Sequence, residues 1–276
     1  MTRVVAPTSM PIAFIAVVAA LLYLAAAGLQ LTHMAQRRQR LSRAVMVMAL
    51  AALVGHAIVT WDALNTGQGV SFGFYRALSL SFLAVNIACV AALLKRPLQN
   101  LLIGLFPLSA LAIVVATLGP ETSHARSELS PGILLHIGSS ILAYSILTLA
   151  AAQAALVALQ DRQLRQRNMH GIARSLPPLQ LMERMLFELI WIGVIALTVA
   201  IASGMIFMEN MFAQHLVHKT ILSMVAWVVF SVLLWGRYQL GWRAQTAVRF
   251  TLSGFALLIL AFFGSKLVLE LILKVE

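Results

Sequence analysis

Residues 133–159 read ILLHIGSSILAYSILTLAAAQAALVAL, an apolar run without one charged side chain. At about 1.5 Å of rise per residue, a helix of that length exceeds the roughly 30 Å of a bilayer's hydrocarbon core. No alternating strand pattern is present, and a helix satisfies its own backbone where water is absent. Working outward, further apolar stretches run approximately from Pro11 to Leu31, Ala44 to Thr60, Ala77 to Leu94, Leu101 to Leu118, Phe187 to Met208, Thr220 to Trp235 and Phe250 to Leu271. With 61% hydrophobic and 11% charged residues and a mean hydropathy of +0.91, the chain cannot cover its apolar surface as a water-soluble domain does. The expectation is an all-α, polytopic integral membrane protein: a bundle of about eight transmembrane helices, forming a single transmembrane domain over residues 1–276.

A net charge of +11 invites a nucleic-acid reading, but the cations lie in short connections between spans rather than on a polar domain face. Assigned alternately, one side receives Arg37, Arg38, Arg40, Arg43, Lys95, Arg96, Arg162, Arg165, Arg167, Arg174, Arg184, Arg237, Arg243 and Arg249, most of the 20 Lys and Arg. The positive-inside rule makes that side cytoplasmic and places both termini outside, consistent with an even number of spans. The partner implied is the lipid bilayer, and not nucleic acid. The first apolar run has its basic cluster after it rather than before it, so it reads as a retained helix and not a cleaved signal peptide. Cys89, the single cysteine, excludes an intrachain disulfide and C-x-x-C-H haem attachment, and reads as a small buried packing residue.

The connections hold few signals. After Pro177-Pro178, residues Leu181, Met182, Met185, Leu186 and Leu189 share a helical face while Glu183 and Arg184 point away, which suggests a short interfacial helix feeding the sixth span. The basic stretch 161–167 before it should lie against anionic headgroups. Residues 209–217 have the spacing of a lid across the bundle, and Pro107 should kink the fourth span. No convincing internal repeat is visible.

Imidazole is costly among lipid tails and invites a search for its partner. His56 precedes the outer end of span two by about five residues and His136 follows the start of span five by about three, so both sit roughly 5–8 Å inside the boundary. His218 begins span seven near the interface. His33 and His170 fall on the other side. Two imidazoles from separate helices at one depth suit axial ligation of a non-covalent haem b, with Arg76, Arg126, Lys219 and Lys266 available to its propionates. Interhelical hydrogen bonding is the competing reading for His56 and His136, and an ordinary interfacial position for His218. His136, Ser140, Tyr144 and Thr148 form one polar stripe, either a cavity wall or a ladder of helix contacts. Zinc is disfavoured because no acidic or thiol ligand joins the histidines. No Ser/His/Asp set, Walker sequence or Gly-rich phosphate loop is found, so no catalytic group is assigned and a non-enzymatic role is expected.

Residues Leu134-Leu135-His136-Ile137-Gly138-Ser139-Ser140-Ile141-Leu142-Ala143-Tyr144 resemble the His-to-Tyr helix of the cytochrome c assembly family, which includes CcsA, the CcmC and CcmF group, and HemX-like proteins. Ala226-Trp227-Val228-Val229-Phe230, Leu234-Trp235-Gly236-Arg237, Gly241-Trp242-Arg243 and Phe262-Phe263-Gly264-Ser265-Lys266 are similar to that family's closing two helices. Ser175-Leu176-Pro177-Pro178-Leu179 and Met182-Glu183-Arg184 fit its YpjD-type inner-membrane branch. The resemblance implies a multi-pass protein of the bacterial inner membrane with a haem-related role, membrane or cytochrome-assembly partner proteins, and a ligand position for His136. Haem-handling members carry a Trp-rich loop ending W-D-P-K-E where this chain reads Leu216-Val217-His218-Lys219-Thr220. Trp235 stands where CcsA-type proteins have a histidine, and Leu271–Lys274 lacks their last one. Haem binding therefore fits the resemblance better than haem transfer to apocytochrome. Two other classes stay open: a transporter or permease with proton-sensitive histidines, and an accessory subunit of a membrane complex.

Overall fold

A computed structural model describes residues 10–36, 41–65, 73–119, 130–167, 175–207 and 217–264. These form α1 (Met10–Ala35), α2 (Arg43–Leu64), α3 (Phe74–Leu93), α4 (Leu102–Leu118), α5 (Pro131–Arg165), α6 (Leu179–Phe207), α7 (Val217–Leu240) and α8 (Ala244–Ile259). A 3₁₀ turn, Gln99–Leu101, leads into α4, and a π-helical turn, Leu260–Gly264, follows α8. Among the described residues there is no strand, and eight helices are long and apolar enough to cross a bilayer. Phe14, Val47, Leu111 and Ile195 are each more than half exposed. In water such side chains would be a liability, whereas against acyl chains they meet their own kind.

The helix starts have local causes. Ser42 accepts from the Ala44 amide at the head of α2, and Ser130 accepts from the Ile133 amide at the head of α5, where Pro131 supplies the preset φ of a first helical residue. α4 runs through Pro107 rather than ending there. α5 and α6 both continue past the apolar runs that announce them. The separate interfacial helix expected over Leu179–Leu189 is instead the first part of one continuous α6.

The described residues divide into two compact units, one holding α1 to α4 and the other α5 to α8. In the first, α1 packs on α2 and α4, and α3 packs on the same two helices, closing a cycle of four. Ala16, Ala19, Ala20, Ala26 and Ala27 line the buried face of α1, and these small residues let neighbouring backbones approach. Tyr23 interrupts that face and meets Phe106 of α4 at 5.0 Å between ring centroids. Asn86 of α3 donates to Ser109 Oγ of α4 at 2.7 Å.

The second unit closes an equivalent cycle: α5 packs on α6 and α8, and α7 packs on α6 and α8. Side chains of α5 reach backbone carbonyls of α6 and the residues just before it in steady register, His136 to Ala200, Gln153 to Met182 and Gln160 to Pro177. As one residue number rises the other falls by nearly the same amount, which is an antiparallel pair without slippage. Neither cycle is legible as a sequence repeat, because apolar contact faces of this kind specify size and shape rather than residue identity.

Candidate functional site

His136 stands on the second turn of α5, half-buried, with Nδ1 at 2.8 Å from the carbonyl oxygen of Ala200 on α6. A carbonyl can only accept, so Nδ1 carries the hydrogen and the lone pair of the neutral ring is on Nε2. Ser203 Oγ donates to the same carbonyl at 3.0 Å. No described residue takes Nε2. An imidazole held by one nitrogen on a backbone carbonyl, with its other nitrogen free, is the arrangement that metal-binding histidines use. The donor chemistry at this position therefore fits a haem iron.

His56 is placed differently. Its ring is completely buried in the first unit, with Nδ1 3.3 Å from the Tyr23 hydroxyl of α1 and Nε2 3.0 Å from Ser79 Oγ of α3. Ser79 Oγ also lies 3.1 Å from Thr60 Oγ1. Both ring nitrogens are thus committed, and the side chain ties α1, α2 and α3 together. Iron ligation by His56 requires release of one of these bonds. His218 is exposed on the second residue of α7. Since α5 and α7 hold opposite corners of the second cycle and begin at the same end of it, His136 and His218 belong to one end of one unit.

The other sequence candidates separate. Arg76 is buried in the first unit and is engaged there, and Lys219 is also engaged. Arg126, Lys266, His170 and the 209–216 part of the expected lid lie outside the described residues. The polar stripe of α5 splits: the Tyr144 ring stacks on Phe262 at 5.5 Å and meets Phe255 at 5.9 Å, while Thr148 Oγ1 bonds the Tyr144 carbonyl of its own helix. Each step of four residues turns about 40° around a helix, so the stripe leaves α6 and faces α8 within two turns. Among the described residues no three His, Cys, Asp or Glu side chains gather to hold a metal ion by themselves.

Several of the motif residues of the second unit, Glu183, Arg237, Gly241 and Trp242, stand at its other end. Glu183, expected to point away, is buried and accepts from the Ala244 backbone N–H at 2.9 Å. α8 has no acidic residue in its first turn, and Arg243 at its N-cap makes no side-chain cap bond. A carboxylate from α6 thus caps α8 across space, a role invisible to local pattern because the partners are far apart in sequence. Arg237 lies 4.7 Å over the Phe187 ring and donates from Nη1 to the Trp242 carbonyl at 2.9 Å. Gly241 takes φ +66°, which only glycine adopts without strain, and turns Trp242 back onto α7. Glu183→Ala should cost about 1–2 kcal/mol of stability, as the loss of a helix cap does, and Glu183→Gln should recover most of it because an amide oxygen still accepts. Thermal unfolding of the two variants in detergent checks this, and equal midpoints for wild type and Glu183→Ala would remove the cap from the account.

The chain as a whole is similar to known proteins. The family model described as cytochrome C assembly protein matches residues 11–273. The inner membrane protein YpjD of Escherichia coli K12 is 35% identical over 234 residues, covering 83% of this chain and 88% of that protein. An uncharacterised 28.8 kDa protein of Azospirillum brasilense is 34% identical over 148 residues, 52% of this chain and 55% of its own length. Protein HemX of Brevibacillus brevis is 26% identical over 160 residues, 55% of this chain and 58% of its own length. No solved structure matches. With eight apolar helices among the described residues and a match to the family model that spans both units, this chain is a multi-pass inner-membrane member of the cytochrome c assembly protein family.

Proposed function

We propose that the protein is a non-enzymatic, haem-binding or haem-handling component of the inner membrane, with His136 as an iron ligand. The observation that carries this reading is the His136 ring, pinned through Nδ1 to Ala200 and presenting Nε2 without a described partner. His218, at the same end of the second unit, is the candidate for a second ligand; a ligand role for His56 in the first unit, which requires release from Ser79 or Tyr23, is a separate proposal. The charge bias between connections supports an outward position for this end and for both termini. When bound, haem supplies an iron that accepts imidazole nitrogen; the protein's part is to set the ring, and Ser203 helps to hold the carbonyl that sets it. Assembly partners in the membrane fit the family, as does an accessory role toward cytochrome maturation.

The test is the Soret spectrum of detergent-purified protein titrated with haem. Wild type should develop a ligand-field-shifted band, and His136→Ala should weaken haem affinity by about tenfold or more, the scale on which even supporting contacts to a bound metal act. His218→Ala then tests the second ligand, and His56→Ala tests the separate role of that ring. A wild-type protein without a haem spectrum, or a His136→Ala protein with an unchanged one, defeats the proposal.

A further inference from the structure

The end of the second unit that carries the Glu183 cap has a charge balance that its own side chains do not close. Its carboxylates are used internally: Asp161, nearly buried, accepts from Arg165 Nε at 3.1 Å, Glu183 caps α8, and Glu188 accepts from Arg184 Nε at 3.3 Å. Arg237 is committed to Trp242 and Phe187. What is left is Arg162 and Arg167 at the end of α5 and Arg243 and Arg249 at the start of α8, all four exposed, and none with a hydrogen bond or ion pair from its guanidinium to any described residue. α5 and α8 are direct neighbours.

Two features identify the counter-charge. Every described cation at this end is arginine, whose planar fork matches phosphate oxygens, whereas lysine offers only a point charge. On α7 at the same end, Trp235 is 58% exposed and Tyr238 86% exposed. Exposed aromatics with polar edges, at the finish of an apolar span, mark the headgroup level of a bilayer. A soluble acidic partner explains neither their exposure nor their depth.

We propose that this end of the second unit is a docking surface for anionic phospholipid, with phosphodiester oxygens taken by Arg162, Arg167, Arg243 and Arg249. The surface is independent of haem and of His136, which belongs to the opposite end of α5. Arginines near an anionic surface each favour binding by about fivefold, and the effect is screened by salt.

The experiment equilibrates the full-length purified protein with mixed micelles holding equal amounts of phosphatidylglycerol and phosphatidylcholine, and measures the lipid retained after repurification by mass spectrometry. Wild type should retain phosphatidylglycerol in clear excess at low salt, and the excess should shrink in high salt. R162Q/R167Q and R243Q/R249Q should each reduce it, and the quadruple variant should abolish it. Because the four side chains are exposed, the variants should unfold at the wild-type temperature in phosphatidylcholine alone, which separates lost lipid binding from lost folding. Equal retention of the two lipids by wild type overturns the proposal, as does a folded quadruple variant that keeps the wild-type preference. Preferential binding of polyglutamate over phosphatidylglycerol overturns the lipid assignment.

Discussion

His56→Ala is expected to lose about 3 kcal/mol of folding free energy, the cost of emptying a large, fully packed site. The ring makes no contact with solvent, meets Tyr23 edge-on at 5.8 Å between centroids, and spans the gap between Tyr23 on α1 and Ser79 on α3. Its removal leaves a cavity where three helices meet and strips partners from two hydroxyl groups. The cavity is the larger part, because hydrogen bonds between membrane helices average only about 0.6 kcal/mol when measured pairwise. Tyr23→Phe, which deletes one hydroxyl and keeps the volume, should therefore cost roughly that smaller amount. Reversible unfolding in mixed micelles measures both. A His56→Ala protein within about 0.5 kcal/mol of wild type, the range of ordinary surface substitutions, would sink the packing account. The same variant also separates the two roles open to His56: lost stability with intact haem binding marks a helix tie, and lost haem with intact stability marks a ligand.

Gly236→Val should be of comparable size, about 3 kcal/mol, at the upper end of the cost of overpacking. A Cβ at position 236 would come within 2.4–2.6 Å of three atoms of the Trp242 indole. The indole cannot yield cheaply. It packs on Phe250 at 5.0 Å, its residue's N–H bonds the Gly236 carbonyl at 3.3 Å, and its own carbonyl holds Arg237. Moving it disturbs the Gly241 turn and the start of α8 together. The check is a double-mutant cycle: Gly236→Val in a Trp242→Ala background should cost much less than in wild type, because the clash has lost its partner. Additive costs would show that position 236 acts through something other than the indole.

These two sites show where sequence reading reaches and where it stops. The family that Leu234–Arg237 and Gly241–Arg243 suggested is the one the chain belongs to, but the structure gives most of these residues an architectural task at the end opposite His136. Glu183 is the clearest difference. On a helical wheel it belongs with the polar residues, yet it is buried because α8 begins with a cation at its N-cap and needs an acceptor from elsewhere. Among the histidines, equal depth suggested equivalent roles for His56 and His136. Their hydrogen bonds distinguish them: one ring has both nitrogens taken, the other only one.

The sequence by itself determined the solvent of this protein, its eight spans, its helical class and its family, since hydropathy over some twenty residues is a local sum that needs no knowledge of neighbours. It did not determine which helices pair. In lipid, a leucine facing acyl chains and a leucine facing another helix have the same transfer free energy, so the hydropathy record carries no mark of the contact face. The tertiary structure decided that, and with it which carbonyl meets His136 Nδ1, which hydroxyls enclose His56, and which arginines are left without a counter-charge.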